Sequence, residues 1–222
     1  MNWGAQIQGL ENALVQIIKA DILPVGAYLA GGTALYFYLH HRLSIDLDFF
    51  SPQSIKPEII AYKMKESLED ADVEIMEKDS LIVFLTRHKI KCSLFYLPYK
   101  LLAETTQYSI QGGTSCPLAS FQDIEAMKAL AVSQRGSAKD FVDLFFLLQR
   151  TRHTFNDVAL QVQKKYGLNK GYDYHLKTSL AYFDDADKEA SQMLLAGPGD
   201  QIRPISKKEW DDIKQFFVGF CR

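Results

Sequence analysis

The chain has 222 residues, 47% of them hydrophobic and 23% charged, with a net charge of −2. That balance excludes a disordered chain and a protein that coats nucleic acid by bulk charge. No apolar run is long enough to cross a bilayer, and the start, MNWGAQIQGLENALVQ, lacks the basic and apolar regions of a secretory signal. A cytoplasmic location with no membrane partner is therefore expected.

The three cysteines, Cys92, Cys116 and Cys221, are far apart and fit no zinc spacing, so they read as buried free thiols. Three basic stretches are candidates for local nucleic-acid contact: His40–His41–Arg42, Arg87–His88–Lys89–Lys91, and Lys164–Lys165. Each taken alone reads as solvated surface charge.

In chain order, Ile7, Leu10, Leu14, Ile17 and Ile18 recur at helical spacing and predict a helix over 6–20, ended by Pro24 and Gly26. VGAYLA at 25–30 predicts a short buried strand. After Gly31–Gly32, Thr33 is placed to cap a helix running to about His40. SIDLDFF at 44–50 alternates, with Ile45, Leu47 and Phe49 on one face and Ser44, Asp46, Asp48 and Phe50 on the other. A surface helix follows over 58–70. VEIMEK, LIVFLTR and KIKCSLFYLPY then read as strands, with a hairpin at Arg87–His88.

The composition shifts after Gly112–Gly113. From Ser120 the pattern is helical: FQDIEAMKALAVSQR, SAKDFVDLFFLLQR, FNDVALQVQKKYG, a segment around 171–183, and a last helix near 206–220. GPGDQIRP before that last helix reads as a loop. Trp210, Phe216, Phe217 and Phe220 of the last helix read as core. The expected fold is α/β (α+β), a small mixed sheet flanked by helices and followed by a helical half. The expected domains are 1–115 and a helical domain, 116–222, packed on it.

The stretch YLAGGTALYFYLHHRLSIDLDFF carries the chemistry. Alternate residues of a strand share a face about 6–7 Å apart, so Asp46 and Asp48 can converge on one divalent cation or on a pair. Mg²⁺ and similar hard cations prefer such oxygen ligands together with phosphate oxygens. Gly31 and Gly32 open a helix with bare backbone N–H groups, where an anion can approach closely. Thr33 and Ser44 add hydroxyls. Arg42 can pair with a phosphate or with the aspartates. Taken singly, a glycine pair before a helix is commonly a turn, and Asp-x-Asp is commonly plain surface. The order strand, glycine pair, helix, strand with two aspartates sets a phosphate cradle beside a metal site.

This stretch closely resembles the first motif of the AbiEii-type nucleotidyltransferases of the polymerase-β-like superfamily. It matches at Gly31, Gly32, Ala34, Leu35, His41, Arg42, Ser44, Asp46, Asp48 and Phe50. KALAVSQRGSAKDFVDL resembles the family's second block at Lys128, Ala131, Arg135, Lys139, Asp140, Asp143 and Leu144. The resemblance implies a Mg²⁺- or Mn²⁺-dependent transfer of a nucleoside monophosphate from an NTP to an acceptor hydroxyl on RNA, tRNA included, or on protein. It also implies the toxin of a type IV toxin–antitoxin system, with a cognate antitoxin as partner. In that reading Asp46 and Asp48 bind metal, and Lys128 and Asp140 complete the catalytic set. Gly31, Gly32, Thr33, Arg42, Ser44 and Arg135 bind the nucleotide. Asp140 is assigned to orient Lys128 or Arg135, or to help at the metal. For Asp140 and Asp143, pairing with Arg135 and Lys139 is the structural alternative.

One departure stands out. The superfamily usually carries a third carboxylate on a neighbouring strand, and the corresponding strand here, KIKCSLFYLPY, has Ser93 near that place and no acid. Either another acid such as Asp140 or Asp143 completes the site, or two carboxylates suffice, or the chain is a catalytically silent nucleotide-binding or interaction module. A metal-dependent phosphohydrolase would use the same aspartates with water as acceptor.

Overall fold

The computed structural model describes residues 3–110, 113–197 and 201–222. Its contacts divide the chain into two compact units. The first comprises Met1–Phe37, Ser44–Lys100 and Thr105–Ala119; the second comprises Tyr38–Leu43, Leu101–Glu104 and Ser120–Arg222. Gly112 of the glycine pair, and residues 198–200 of GPGDQIRP, lie outside the described residues.

The first unit is built on a seven-stranded mixed sheet. In chain order its elements are α1 (Trp3–Lys19), β1 (Tyr28–Ala30), the start of α2 (Gly31–Leu39), β2 (Leu47–Ser51), α3 (Pro57–Ser67), β3 (Ala71–Glu77), β4 (Ser80–Leu85), β5 (Ile90–Tyr96), β6 (Thr106–Ile110) and β7 (Thr114–Leu118). The strand order is β3-β4-β5-β2-β1-β7-β6. β2 lies antiparallel to β1 and parallel to β5, and β7 is parallel to β1.

Leu10, Leu14 and Ile17 of α1 are fully buried, as their spacing predicts. On β2 the burial alternates: Leu47, Phe49 and Ser51 are buried, while Asp48 and Phe50 are partly exposed. A slip of one residue would bury Asp48 and expose Phe49, so the apolar face locks the register. The strand begins at Leu47, so Ser44, Ile45 and Asp46 form the approach to it and are not strand residues. The β6–β7 hairpin is absent from the sequence reading. Its strands, TQYSI and TSCPL, are short and polar, and Pro117 argues against a strand that is not at an edge.

The second unit holds α4 (Phe121–Arg135), α5 (Ala138–Thr151), α6 (Phe155–Tyr166), α7 (Tyr172–Leu180), α8 (Asp184–Ala190), β8 (Leu194–Ala196), β9 (Ile202–Pro204) and α9 (Lys207–Phe220). Ser120, Thr154 and Ser206 cap their helices with side-chain oxygens, the last two in full capping boxes. The core gathers Phe141, Leu144, Val158, Leu176, Trp210 and Phe217, so the last helix is core as expected. α8, DDADKEA, buries only Ala186 and Ala190 and gives no apolar period to read. Part of the expected GPGDQIRP loop is β9, which pairs antiparallel with β8.

Two short segments are tied into this unit. Residues 38–43 join β8 by backbone pairing: Leu43 N donates to Leu194 O at 3.0 Å and Ala196 N to His41 O at 3.1 Å. Residues 101–104 are held by Asp123, whose carboxylate accepts from the backbone N–H groups of Leu102 at 3.0 Å and Ala103 at 3.3 Å. Ser120 Oγ and Lys165 Nζ reach the same carboxylate at 2.6 and 2.7 Å. Lys165 is thus buried in an ion pair and is not part of a basic surface patch with Lys164. The three cysteines are buried and free, and burial pushes the Cys116 thiol up to about 12. Among the described residues no helix is long and apolar enough to cross a membrane.

Asp123 and Lys165 are shut away from water, so removing one charge strands the other. Lys165→Met is expected to lower the unfolding free energy by about 3 kcal/mol, read from urea titration. An unchanged midpoint would show that this pair does not hold the unit together.

Candidate active site

The expected site residues fall into two sets. Gly31, Gly32, Thr33, Ser44, Asp46 and Asp48 belong to the first unit; Arg42, Lys128, Arg135 and Asp140 belong to the second.

In the first unit, β1 runs into Gly31 and α2 begins there. Gly31 has φ +71°, in the left-handed region that costs a side-chain-bearing residue about 1–2 kcal/mol. A Cβ at Gly31 would sit 3.0 Å from Asp48 Oδ2. The glycine therefore serves two ends: it turns the chain, and it lets a carboxylate lie against the first residue of α2. Thr33 does not cap α2. It lies inside the helix and its hydroxyl reaches Ser44 Oγ at 3.0 Å and the carbonyl oxygen of Asp46 at 2.5 Å. This ties the approach to β2 onto α2 and fixes the backbone of Asp46.

Asp48 pairs in register with Ala30 of β1 and Ser93 of β5. Cross-strand partners share a face, so Ser93 stands beside Asp48, and it is only 1% exposed. Cys92 points the other way. Burial pushes its thiol up to about 12, with the charge of Asp48 adding to the rise. Asp46 is about half exposed, and its Oδ2 lies 3.6 Å from Lys91 Nζ. From sequence Lys91 stood only in a basic stretch with Arg87, His88 and Lys89; its pairing with Asp46 carries no local signal until the neighbouring strand is known.

Among the described residues, no three or more His, Cys, Asp or Glu side chains are grouped to hold a metal ion. Asp46 and Asp48 therefore do not fit a cation ligated by protein alone. As two hard oxygen donors they fit a small divalent cation that takes its remaining ligands from phosphates and water.

In the second unit two buried carboxylates organise the cations. Asp143 Oδ1 accepts from Arg42 Nε at 2.5 Å and His41 Nε2 at 2.7 Å; its Oδ2 meets Arg42 Nη2 at 2.7 Å and Lys128 Nζ at 2.6 Å. Asp140 accepts from Lys128 Nζ at 3.0 Å, from Arg135 Nε at 2.7 Å and Nη2 at 3.0 Å, and from Ser137 Oγ at 2.7 Å. Sequence reading gave Arg42 a phosphate or the two strand aspartates as partners; the structure gives it Asp143. His41 and Arg42 are buried, so the proposed surface patch at His40–His41–Arg42 does not form. Asp143 likewise takes Arg42, His41 and Lys128 in place of the expected Arg135 and Lys139. Asp140 does hold both Lys128 and Arg135.

Burial alone would raise the pKa of both carboxyls. Against it, Lys128 and Arg135 hold Asp140 at about 2, and Arg42 and Lys128 keep Asp143 well below its ordinary 3.8. Burial also lowers Lys128, but the two aspartates outweigh it and raise its pKa above 10.5. His41 goes down, because burial outweighs its bond to Asp143. A neutral His41 therefore donates from Nε2 to Asp143, while its buried Nδ1 has no hydrogen-bond partner. Of the three cations in the expected site, Arg135 keeps a side chain 57% exposed, while Arg42 and Lys128 are each only 8% exposed.

Known structures share this fold. JHP933 from Helicobacter pylori aligns over 96% of this chain and 92% of its own, with a TM-score of 0.56 at 18% identity. MenT4, the nucleotidyltransferase toxin Rv2826c of Mycobacterium tuberculosis H37Rv, aligns over 96% of this chain and 82% of its own, with a TM-score of 0.57 at 16% identity. The mixed sheet is thus that of a nucleotidyltransferase-fold protein. At the sequence level, the family model described as nucleotidyl transferase AbiEii toxin, type IV TA system, matches residues 12–220. The chain belongs to that family. It is also similar to the uncharacterized protein aq_aa25 of Aquifex aeolicus (strain VF5), 34% identical over 86% of this chain and 84% of that protein.

Two outcomes test the site's physics. Gly31→Ala is expected to cost about 1–2 kcal/mol in chemical unfolding and to displace the Asp48 carboxylate. Asp140, with a folded pKa of about 2 against an ordinary 3.8, gives stability that is complete above its ordinary value and lost as pH falls towards 2. In Asp140→Asn the pH dependence of unfolding should flatten between about pH 4 and 2, with stability near neutrality lower by about 2 kcal/mol.

Proposed function

We propose that this chain transfers a nucleoside monophosphate from a nucleoside triphosphate to an acceptor hydroxyl, with Mg²⁺ or Mn²⁺, releasing pyrophosphate. The observation that carries the reading is the Asp48 carboxylate lying against Gly31 where α2 begins. An anion-favouring helix start and a cation-favouring carboxylate are adjacent there, which suits a metal–triphosphate pair.

Gly31 and Gly32 hold phosphate through backbone N–H groups, and Asp46 and Asp48 hold the metal. Ser44, linked to Thr33, keeps the approach to β2 in place. A bound divalent cation neutralises charge on the transferring phosphoryl group and orients it. Such a transfer needs in-line placement and charge neutralisation more than covalent help from the protein. In the second unit, Arg135 is the cation exposed enough to meet a ligand phosphate. Arg42 and Lys128 act through Asp143 and Asp140, keeping that buried network ordered. The proposed acceptor is RNA, tRNA included. With a net charge of −2 the chain has no bulk attraction for it, so the grip must be local. The family description supports a toxin role with a cognate antitoxin protein as partner.

A second reading is favoured by one observation: buried Ser93 stands beside Asp48 where the third acid is expected. With no carboxylate there to take the acceptor's proton, the chain would bind nucleotide without turning it over.

Incubation with Mg²⁺, each labelled NTP in turn and total cellular RNA separates these readings. Label transfer that falls at least about 100-fold in Asp48→Ala is the expected result, the scale of several kcal/mol of lost charge stabilisation. Nucleotide binding without transfer to RNA or protein would establish the silent module. Free phosphate release would mean that water is the acceptor.

A further inference from the structure

We infer that Lys91 is a phosphate-binding residue that serves as the counter-ion of Asp46 until a divalent cation takes that carboxylate. The inference rests on the proposed metal role of Asp46 and adds a residue that the family motifs do not include.

Backbone geometry sets the pair. The parallel ladder of β2 and β5 matches Leu47 with Cys92 and Asp48 with Ser93. Just ahead of that ladder, Asp46 on the approach to β2 lies near Lys91 of β5, and their charged atoms are 3.6 Å apart. Thr33 fixes the other side of the contact through the Asp46 carbonyl. The start of the β2–β5 ladder and the helix tie thus bring the two segments together.

The pair is also built to open. Both side chains are nearly half exposed, 42% for Lys91 and 44% for Asp46, so separating them strands no charge away from water. An ammonium and a divalent cation repel, and the carboxylate binds the divalent ion more strongly than it holds a solvated lysine. Once displaced, the ammonium swings on a flexible four-carbon stem with three donors, which suits it to a phosphate oxygen. A metal-bound triphosphate remains anionic, so the released charge has a ligand to meet. β5 therefore brings a serine and a cation to the face where the superfamily brings an acid. Its contribution to that face is to offset substrate charge, not to add a metal ligand.

The test uses the full chain as wild type, Lys91→Met, Lys91→Arg, Asp46→Asn and the Asp46→Asn/Lys91→Met double variant. Affinity for Mn²⁺ alone is measured first, by electron paramagnetic resonance. Affinity for Mn²⁺ complexes of the four α,β-methylene nucleoside triphosphates follows. Lys91→Met is expected to bind Mn²⁺ alone about two- to five-fold tighter and its best Mn²⁺–nucleotide complex weaker by a similar factor. Lys91→Arg should stay near wild type, and in the Asp46→Asn background Lys91→Met should no longer change Mn²⁺ affinity. Opposite shifts distinguish this role from a merely structural one, which would weaken both. Unchanged affinities, or shifts in the same direction, would overturn the inference while leaving the transferase reading intact. If wild type bound neither Mn²⁺ nor nucleotide, the transferase reading would fall and this inference with it.

Discussion

Strand β2 is the element on which the candidate site depends. It is interior to the sheet, hydrogen-bonded to β1 on one side and β5 on the other. Leu47 and Phe49 are fully buried, so the strand cannot slip without exposing them and burying Asp48. Hydrophobic burial in this way aims a carboxylate. The same register puts Asp48 beside the end of β1, where a Cβ at position 31 would crowd its oxygen at 3.0 Å. The apolar face of one short strand thus sets the positions of Asp48 and Ser93, and the Asp46–Lys91 pair lies just ahead of it.

The second unit is held by a different force. Asp143 and Asp140 are fully buried, and each is surrounded by donors from His41, Arg42, Lys128, Arg135 or Ser137. Burying a carboxylate is costly unless its lone pairs are filled, and here they are. Arg42 approaches Asp143 with two parallel N–H bonds, the geometry that a guanidinium makes and an ammonium cannot. The cations that sequence matching places in the site are therefore engaged in holding the unit's interior, with Arg135 the exposed member. A residue can match a family motif because it orders the fold around a site as well as because it touches substrate.

Much of the fold was legible because periodicity reports burial. The helix of Leu10, Leu14 and Ile17, the alternation of β2, the three strands from 71 to 96, and most helices after Ser120 all announce an apolar face. The misses have physical causes. β6 and β7 are too short and polar to show alternation, and α8 buries only two alanines. Thr33 read as a cap because its neighbours looked like a helix start, yet its hydroxyl is committed to Asp46, thirteen residues on. Lys165 read as surface because lysine usually is, and nothing local reveals that Asp123 waits for it 42 residues away.

By itself the sequence determined the class of fold, the strand placement of Asp48, the glycine turn before α2 and the lack of an acid on β5. Those follow from local pattern and from motif residues whose spacing is fixed along the chain. Only the tertiary structure decided which charges meet. It set Lys91 against Asp46, stood Ser93 beside Asp48, and gave Arg42, His41 and Lys128 to Asp143. Ion pairs join residues that are distant in sequence, and their partners are set by strand register and helix packing, which no local pattern encodes.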